Sequence, residues 1–379
     1  VAIASEPLPQ QTRGLSVDKG QLLRNGKTYR GIGANYFSLF ARKIAEPSDI
    51  SYRREFERLS KARIPFVRFM ACGFWPRDWD LYLSDKDEYF RLLDDIVKSA
   101  EDNQIGLIPS LFWNIAYIPD IVGEHVDQLA NPESKTIELI RQYSKEIVLR
   151  YRNSPAIWGW EFANECNLHV DLPNAALHRP RVIPHLKTAS KRTQRDEMSS
   201  EMMLAAYKEF AKTVHAYDKH RILITGNSCP RSSAYHNTTD KSWEKDTKEQ
   251  FQGILRRDNP DPFDTICVHI YPTQDNDYAG RAKSLGELVK TFKDVSARSQ
   301  KPLFIGEFGS HQATTKEQSR GEFQELLTAI ETNGVPLSAF WVFDYPPQES
   351  SYNVTFDNER SYVLKMVGEA NQRMNCNGQ

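Results

Sequence analysis

Glu165 and Glu307 each close a short apolar run, in Trp158-Gly159-Trp160-Glu161-Phe162-Ala163-Asn164-Glu165 and in Phe304-Ile305-Gly306-Glu307-Phe308-Gly309. Runs of this kind read as buried strands, which puts both carboxyls at strand ends. Two carboxyls on one rim can divide the work of acid and nucleophile. A protonated one delivers its proton to a leaving oxygen while an ionised one attacks an anomeric carbon, the arrangement that hydrolyses a glycosidic bond with retention. That chemistry requires the two groups to lie ~5–5.5 Å apart. Taken singly, either glutamate reads equally well as a rim salt bridge to an arginine.

Neighbouring residues favour the chemical reading. Arg68 falls inside the second predicted strand, a costly place for a permanent charge unless an anion meets it. Glu307 as that anion would be held ionised; a buried ion pair with no catalytic part is the plainer alternative. His269 and Tyr271 are two apart on the sixth predicted strand, so both face one way and can orient Glu307 or meet sugar hydroxyls. Cys166, next to Glu165, has no adjacent histidine to activate it and reads as a packed residue or as half of a bridge to Cys229.

The elements that must position these groups alternate along the chain. Tyr29–Ala34, Phe66–Met70, Ile105–Leu111, Ala156–Phe162, Arg221–Thr225, Asp264–Ile270, Pro302–Phe308 and Ser338–Phe343 are apolar runs typical of parallel strands buried on both faces. Amphipathic helical stretches fall between them: Ser51–Ala62, Lys86–Asn103, Ser134–Tyr151, Asp196–Tyr217, Leu285–Ala297, Thr315–Asn333 and Arg360–Gln372. Asn25-Gly26 marks a hairpin ahead of the first strand. No glycine-rich fingerprint follows that strand, so the count points to an α/β fold of the (β/α)8 TIM barrel type rather than a doubly wound sheet. We read residues 1–379 as one catalytic domain, with 1–14 an extended N-terminal segment. Long loops after the fourth and fifth strands, Cys166–Arg195 and Asn227–Asn259, belong on the C-terminal face, where barrel sites are built.

Composition narrows the function classes. With 49 basic and 50 acidic residues the formal charge is −1, too little field for nucleic acid or an anionic membrane surface. No apolar run reaches the ~18 residues of a membrane span. Five cysteines lack any CxxC, and the nine histidines include no His-x-His or HExxH, so neither a structural zinc nor a metal-dependent barrel hydrolase is expected. The small, polar, Pro-bearing start resembles a mature chain after signal removal, so secretion is expected; Asn237-Thr238-Thr239 and Asn353-Val354-Thr355 fit the glycosylation pattern, a triplet common by chance that does not settle the compartment.

The order of these motifs resembles glycoside hydrolase family 5, of the retaining clan, from Arg30 to about Tyr345. The resemblance implies Glu165 as general acid/base, Asn164 as partner of the sugar 2-hydroxyl, and Glu307 as nucleophile. Arg68, His269, Tyr271 and Trp341 fall on the family's second-strand Arg, sixth-strand His-x-Tyr and eighth-strand Trp, the last flooring the −1 subsite. Ser110-Leu111-Phe112-Trp113-Asn114, without the histidine common in cellulase-like members, is similar to the β-mannanase branch; Cys166-Asn167-Leu168 departs from the usual Pro-Arg continuation. Trp113 and Asn114 join the supporting residues on this basis. The implied activity is endo-β-1,4-mannanase without cofactor, with a β-glucanase or an exo-acting β-glycosidase as the runner-up and a non-catalytic carbohydrate-binding barrel as the rival of another class. The expected partner is a β-linked glycan.

Flat rings on the rim can stack on sugar faces, which makes Trp75, Trp79, Trp113, Trp243, Trp341 and Tyr345 candidates, while Trp158 and Trp160 read as core. The stretch His178–Arg195 carries Arg179, Arg181, Lys187, Lys191, Arg192 and Arg195 without an acid. It reads as a solvated face, or as a lid favouring acidic or acetyl-decorated glycans.

Overall fold

The computed structural model describes residues 14–272, 284–311 and 315–376. All but Gly14 of the expected N-terminal extension therefore lies outside the described residues. The chain opens with three short antiparallel strands, β1 (Leu15–Asp18), β2 (Gln21–Arg24) and β3 (Lys27–Thr28). Asn25 and Gly26 take positive φ of 52° and 73° between β2 and β3, the two-residue turn their sequence requires. A first hairpin at Lys19-Gly20, with φ of 47° and 78°, was not expected, because Lys is a rare residue at such a turn.

Eight parallel strands follow: β4 (Gly31–Asn35), β5 (Phe66–Met70), β6 (Gly106–Phe112), β7 (Gly159–Ala163), β8 (Ile222–Ile224), β9 (Ile266–Ile270), β10 (Leu303–Phe308) and β11 (Leu337–Phe340). They lie in the order β8-β7-β6-β5-β4-β11-β10-β9. The ring closes between β8 and β9 through Asp264, whose N–H donates to the Leu223 carbonyl at 3.0 Å and whose carboxylate accepts from Leu223 N–H at 2.7 Å. Asn259 Oδ1 strengthens the seam by accepting from Thr225 Oγ1 (2.8 Å) and Cys267 N–H (2.9 Å). This is the expected (β/α)8 barrel.

All seven expected helices form, several under side-chain caps that satisfy first-turn N–H groups, such as Ser134 to Ile137, Ser199 to Met202 and Ser284 to Glu287. The helix expected from Asp196 starts instead at Ser200, after a short 3-10 turn at Gln194–Asp196. Leu39–Ala45, Ala234–Thr239 and Lys248–Asp258 are further helices. The last of these begins with a reciprocal Thr247–Gln250 cap inside the long loop after β8.

Packing closes one end of the barrel and leaves the other polar. Leu15 and Leu22 from the N-terminal sheet pack with Phe66, Ile108, Trp158, Phe304 and Leu337, sealing the N-terminal end. Trp158 is buried against Tyr29 and Arg24, and Trp160 is buried with its indole N–H on Asp218 at 3.0 Å, so both are core as expected. One step of alternation above that apolar layer come Arg68, two after Phe66, and His269, two after Cys267. The barrel thus places its charged layer toward the C-terminal rim.

The described cysteines Cys72, Cys166, Cys229 and Cys267 are all reduced and buried. The alternative of a Cys166–Cys229 bridge is thereby corrected: Cys166 Sγ instead meets Tyr207 Oη at 3.0 Å, and burial pushes its thiol up to about 12. The glycosylation reading also fails on geometry, since Asn237 and Asn353 are each 1% exposed, with their amides hydrogen-bonded inside the fold. Among the described residues no helix is long and apolar enough to cross a membrane.

Candidate active site

The β10 register determines where Glu307 points. Ile305 pairs with Val268, yet Glu307 pairs with His269, so β10 carries one extra residue, Gly306. Strict alternation would have turned Gly306 inward; the bulge turns Glu307 inward beside His269. Asn35, the last residue of β4, braces the bulge by donating Nδ2 to the Gly306 carbonyl at 2.9 Å.

Glu165 arrives by a different device. Two residues beyond β7 it adopts φ 49°, a left-handed conformation rare for a side chain of this size. Its N–H donates to the Gly226 carbonyl at 2.8 Å, and Asn164 N–H donates to Trp113 O at 3.2 Å, so flanking strand ends hold the turn. Gly226 has φ 77° and runs so close to Ala163 O that no Cβ fits there.

Arg68 joins the two halves. Fully buried, it spends all its donors: Nε on both Glu161 oxygens (2.9 and 2.8 Å), Nη1 on Asn35 Oδ1 and Glu307 Oε1 (both 2.9 Å), and Nη2 on Asn164 Oδ1 (2.7 Å), also within 2.8 Å of Glu161 Oε1. The Trp113 ring covers its guanidinium carbon at 4.6 Å. Burial works against the charge, and Glu161 and Glu307 more than offset it. Glu307 is an anionic partner, as expected from the sequence. Glu161, fully buried, was passed over as a site residue, although its position two before Ala163 on β7 points it inward.

Tyr271 Oη donates to Glu307 Oε2 at 2.6 Å, and His269 Nδ1 lies 2.9 Å from Glu165 Oε1 and 3.5 Å from Glu307 Oε1. Burial drives the imidazole down to about 4, so it is neutral near pH 7. Its buried Nε2 has no partner among the described residues; a proton on Nδ1 is the tautomer that leaves no buried N–H unsatisfied. Burial also keeps Tyr271 a phenol.

Ligand atoms of Glu165, His269 and Glu307 all lie within 4.8 Å of one another. Carboxyl oxygens this close are compatible with the ~5–5.5 Å group separation of retaining chemistry. Such a trio could also hold a cation, but the Arg68 guanidinium already occupies that electrostatic role 2.9 Å from Glu307. Burial pushes both carboxyls above their ordinary range, and two groups at this spacing do not both ionise readily. Glu307 accepts from the Arg68 cation and from Tyr271, whereas Glu165 has the neutral Ser228 hydroxyl as a hydrogen-bond donor and cations only at longer range. A charged donor on Glu307 against a neutral one on Glu165 favours the ionised form at Glu307.

Glu165 and Glu307 face a cavity of about 300 Å³ lined also by Asn164, Tyr271, Trp113, Trp341, Tyr345, Phe37, Phe74 and Gln348. Asn114, named from the sequence beside Trp113, does not line the cavity and starts a 3-10 turn at Ile115–Tyr117. Trp79 is 1% exposed among Tyr82, Phe112 and Tyr143, a loop anchor. Trp75 packs edge-on against Tyr117, and Trp243 stands 51% exposed. The basic stretch is largely solvated, with Arg181, Lys187, Lys191 and Arg195 exposed, and three of its six cations are paired. Arg179 pairs with Glu197, Arg192 with Asp120 and Arg195 with Asp127, acids supplied from outside the run.

Comparison with known proteins gives the same reading of the chain. It is 26% identical over 185 residues to a probable mannan endo-1,4-beta-mannosidase A of Aspergillus flavus, covering 43% of this chain and 46% of that protein. It is 37% identical over 90 residues to mannan endo-1,4-beta-mannosidase A of Podospora anserina, covering 21% of this chain and 24% of that one. The matched segments thus span less than half the length of these curated relatives. The endo-1,4-beta-mannanase of Rhizomucor miehei superposes with a TM-score of 0.67 at 18% identity, covering 95% of this chain and 99% of that one, and so shares the fold. Residues 51–345 match Cellulase (glycosyl hydrolase family 5), and the chain belongs to that family.

Proposed function

We propose that this protein is a retaining glycoside hydrolase that cleaves β-1,4-mannan within the chain. The observation that carries the reading is the pair Glu165 and Glu307, with oxygens within 4.8 Å in unequal surroundings. Glu307, held by Arg68 and Tyr271, attacks the anomeric carbon as Glu165 gives its proton to the leaving oxygen. The glycosyl-enzyme is then released by a water that Glu165 deprotonates. His269 Nδ1 steers the Glu165 carboxyl, and the Trp341 indole floors the sugar that reacts. Asn164 meets the 2-hydroxyl beside it. No metal or organic cofactor enters these steps.

The mannan preference rests on the family and on the printed activities of the relatives. A polymer of this kind is met outside the cell, so secretion belongs to the same proposal. Product lengths and anomeric configuration should be followed over mannan, glucan, xylan and acidic glycans, with Glu165→Gln and Glu307→Ala alongside. Expected are short β-configured mannooligosaccharides from the wild type and folded, inactive Glu307→Ala. Release of single sugars would replace endo with exo action, and preferred turnover of glucan would replace the substrate. A fully active Glu307→Ala would overturn the mechanism.

A further inference from the structure

Gln348 stands at the edge of the same cavity, on a 3-10 turn at Pro346–Gln348 beyond β11. Its backbone is fixed: the N–H donates to Tyr345 O at 2.9 Å, and the carbonyl accepts from the N–H groups of Ser351, Tyr352 and Asn353 at 2.9–3.0 Å. Its side-chain Oε1 accepts the Trp341 indole N–H at 2.8 Å. An indole nitrogen can only donate, so this contact determines which end of the amide faces the ring. Nε2 must then point away from the indole, and among the described residues it has no acceptor. Gln348 is half-buried and lines the cavity, which leaves Nε2 as a donor at the edge of the sugar-binding surface.

We propose that Gln348 is a substrate-binding residue whose Nε2 donates to a hydroxyl of the sugar stacked on Trp341, with the indole N–H setting the amide's orientation. The sugar's ring face would meet the indole while an oxygen on its edge meets Nε2, so one tryptophan both supports the ring and aims its polar neighbour. The inference rests on the glycan-hydrolase reading and adds a specificity residue to it.

A double-mutant cycle tests it, with Gln348→Ala, Trp341→Phe and the combined variant, and Gln348→Met as a second truncation that keeps side-chain length. On a mannooligosaccharide, Gln348→Ala and Gln348→Met should raise KM about three- to tenfold, the worth of one neutral hydrogen bond, with kcat and the thermal midpoint unchanged. In the Trp341→Phe background, where the amide is free to turn, the same truncation should matter less than about twofold. An unchanged KM in both Gln348 variants overturns the proposal. An equal effect in both backgrounds overturns the orienting role of Trp341. A fall in kcat with KM unchanged would make Gln348 a positioning group and likewise overturn it. Failure of the functional reading looks different, because the wild type itself would then turn over none of the β-mannan substrates.

Discussion

A Cβ placed on Gly306 would stand 2.8 Å from Nε2 of His269. The β10 bulge and the buried imidazole therefore fit together only because residue 306 has no side chain. The imidazole that this contact leaves in place is the one whose Nδ1 reaches Glu165.

Gly306→Ala should accordingly act on the chemistry through the ring. Displacing His269 by a few tenths of an ångström to 1 Å loosens Glu165, and misplacement on that scale costs about 10²-fold in kcat. Overpacking should add about 1–3 kcal/mol of destabilisation. Steady-state kinetics and a denaturant titration read the two effects separately. Wild-type kcat in a folded Gly306→Ala would show that the ring has room this geometry denies it.

Tyr271→Phe tests the charge state of Glu307. The phenol donates to Oε2 at 2.6 Å, which favours the ionised carboxylate and holds its pKa below where burial alone would put it. Without that donor the pKa of Glu307 rises. Activity needs the ionised form and is lost as pH falls through that pKa, so the acid limb of kcat/KM should move to higher pH by about one unit. The basic limb, set by the proton on Glu165, should stay near its place. A shift confined to the basic limb would reverse the two assignments.

How much of this was legible in the sequence depends on what each residue's signal contained. His269 and Tyr271 were readable because they stand two apart, and alternation turns such a pair the same way, whereas the glutamates were legible only as carboxyls at strand ends. Glu307 was placed on the right strand, but its inward turn depends on an extra residue at Gly306, which a period-two reading does not supply. Arg68 was correctly expected to need an anion; that it has two was hidden, because Glu161 looked like one letter in an apolar strand. Asn35 and Gln348 carry no local signal, since one acts at the end of a glycine-rich strand and the other on a turn brought back by Asn353 and its neighbours. Asn114 was misplaced because proximity to Trp113 in sequence says nothing of direction once the chain leaves the strand.

Glu161→Gln asks what the second anion does. At present Arg68 divides its charge between Glu161 and Glu307. Removing one carboxylate breaks a fully buried pair and should destabilise the fold by about 3 kcal/mol or more. It also leaves the guanidinium undivided for Glu307, which lowers that carboxyl's pKa. The acid limb should then move to lower pH, opposite in sign to Tyr271→Phe. Thermal unfolding and a pH profile measure both. A loss of stability with an unmoved acid limb would reduce Glu161 to a structural ion pair.

The basic stretch before the helix at Ser200 supplies a prediction about where charge matters. Arg192 is 6% exposed, and its bidentate partner Asp120 is fully buried, with contacts of 2.7 and 2.6 Å. Arg195 and Asp127 make a similar fork at 2.7 and 3.1 Å, but Arg195 is 53% exposed. Arg192→Ala strands a buried carboxylate and should cost about 3–5 kcal/mol, whereas Arg195→Ala should leave the thermal midpoint where it is because water already screens that pair. The same pairing bears on substrate choice. Arg179, Arg192 and Arg195 are each held by an acid of the fold, and neither they nor the exposed Arg181, Lys187 and Lys191 line the cavity that Glu165 and Glu307 face. The double variant Arg179→Ala and Arg181→Ala should therefore keep the wild-type ratio of turnover on charged and neutral glycans. A ratio that falls on the charged substrate would return this loop to the role of an anion-selecting lid.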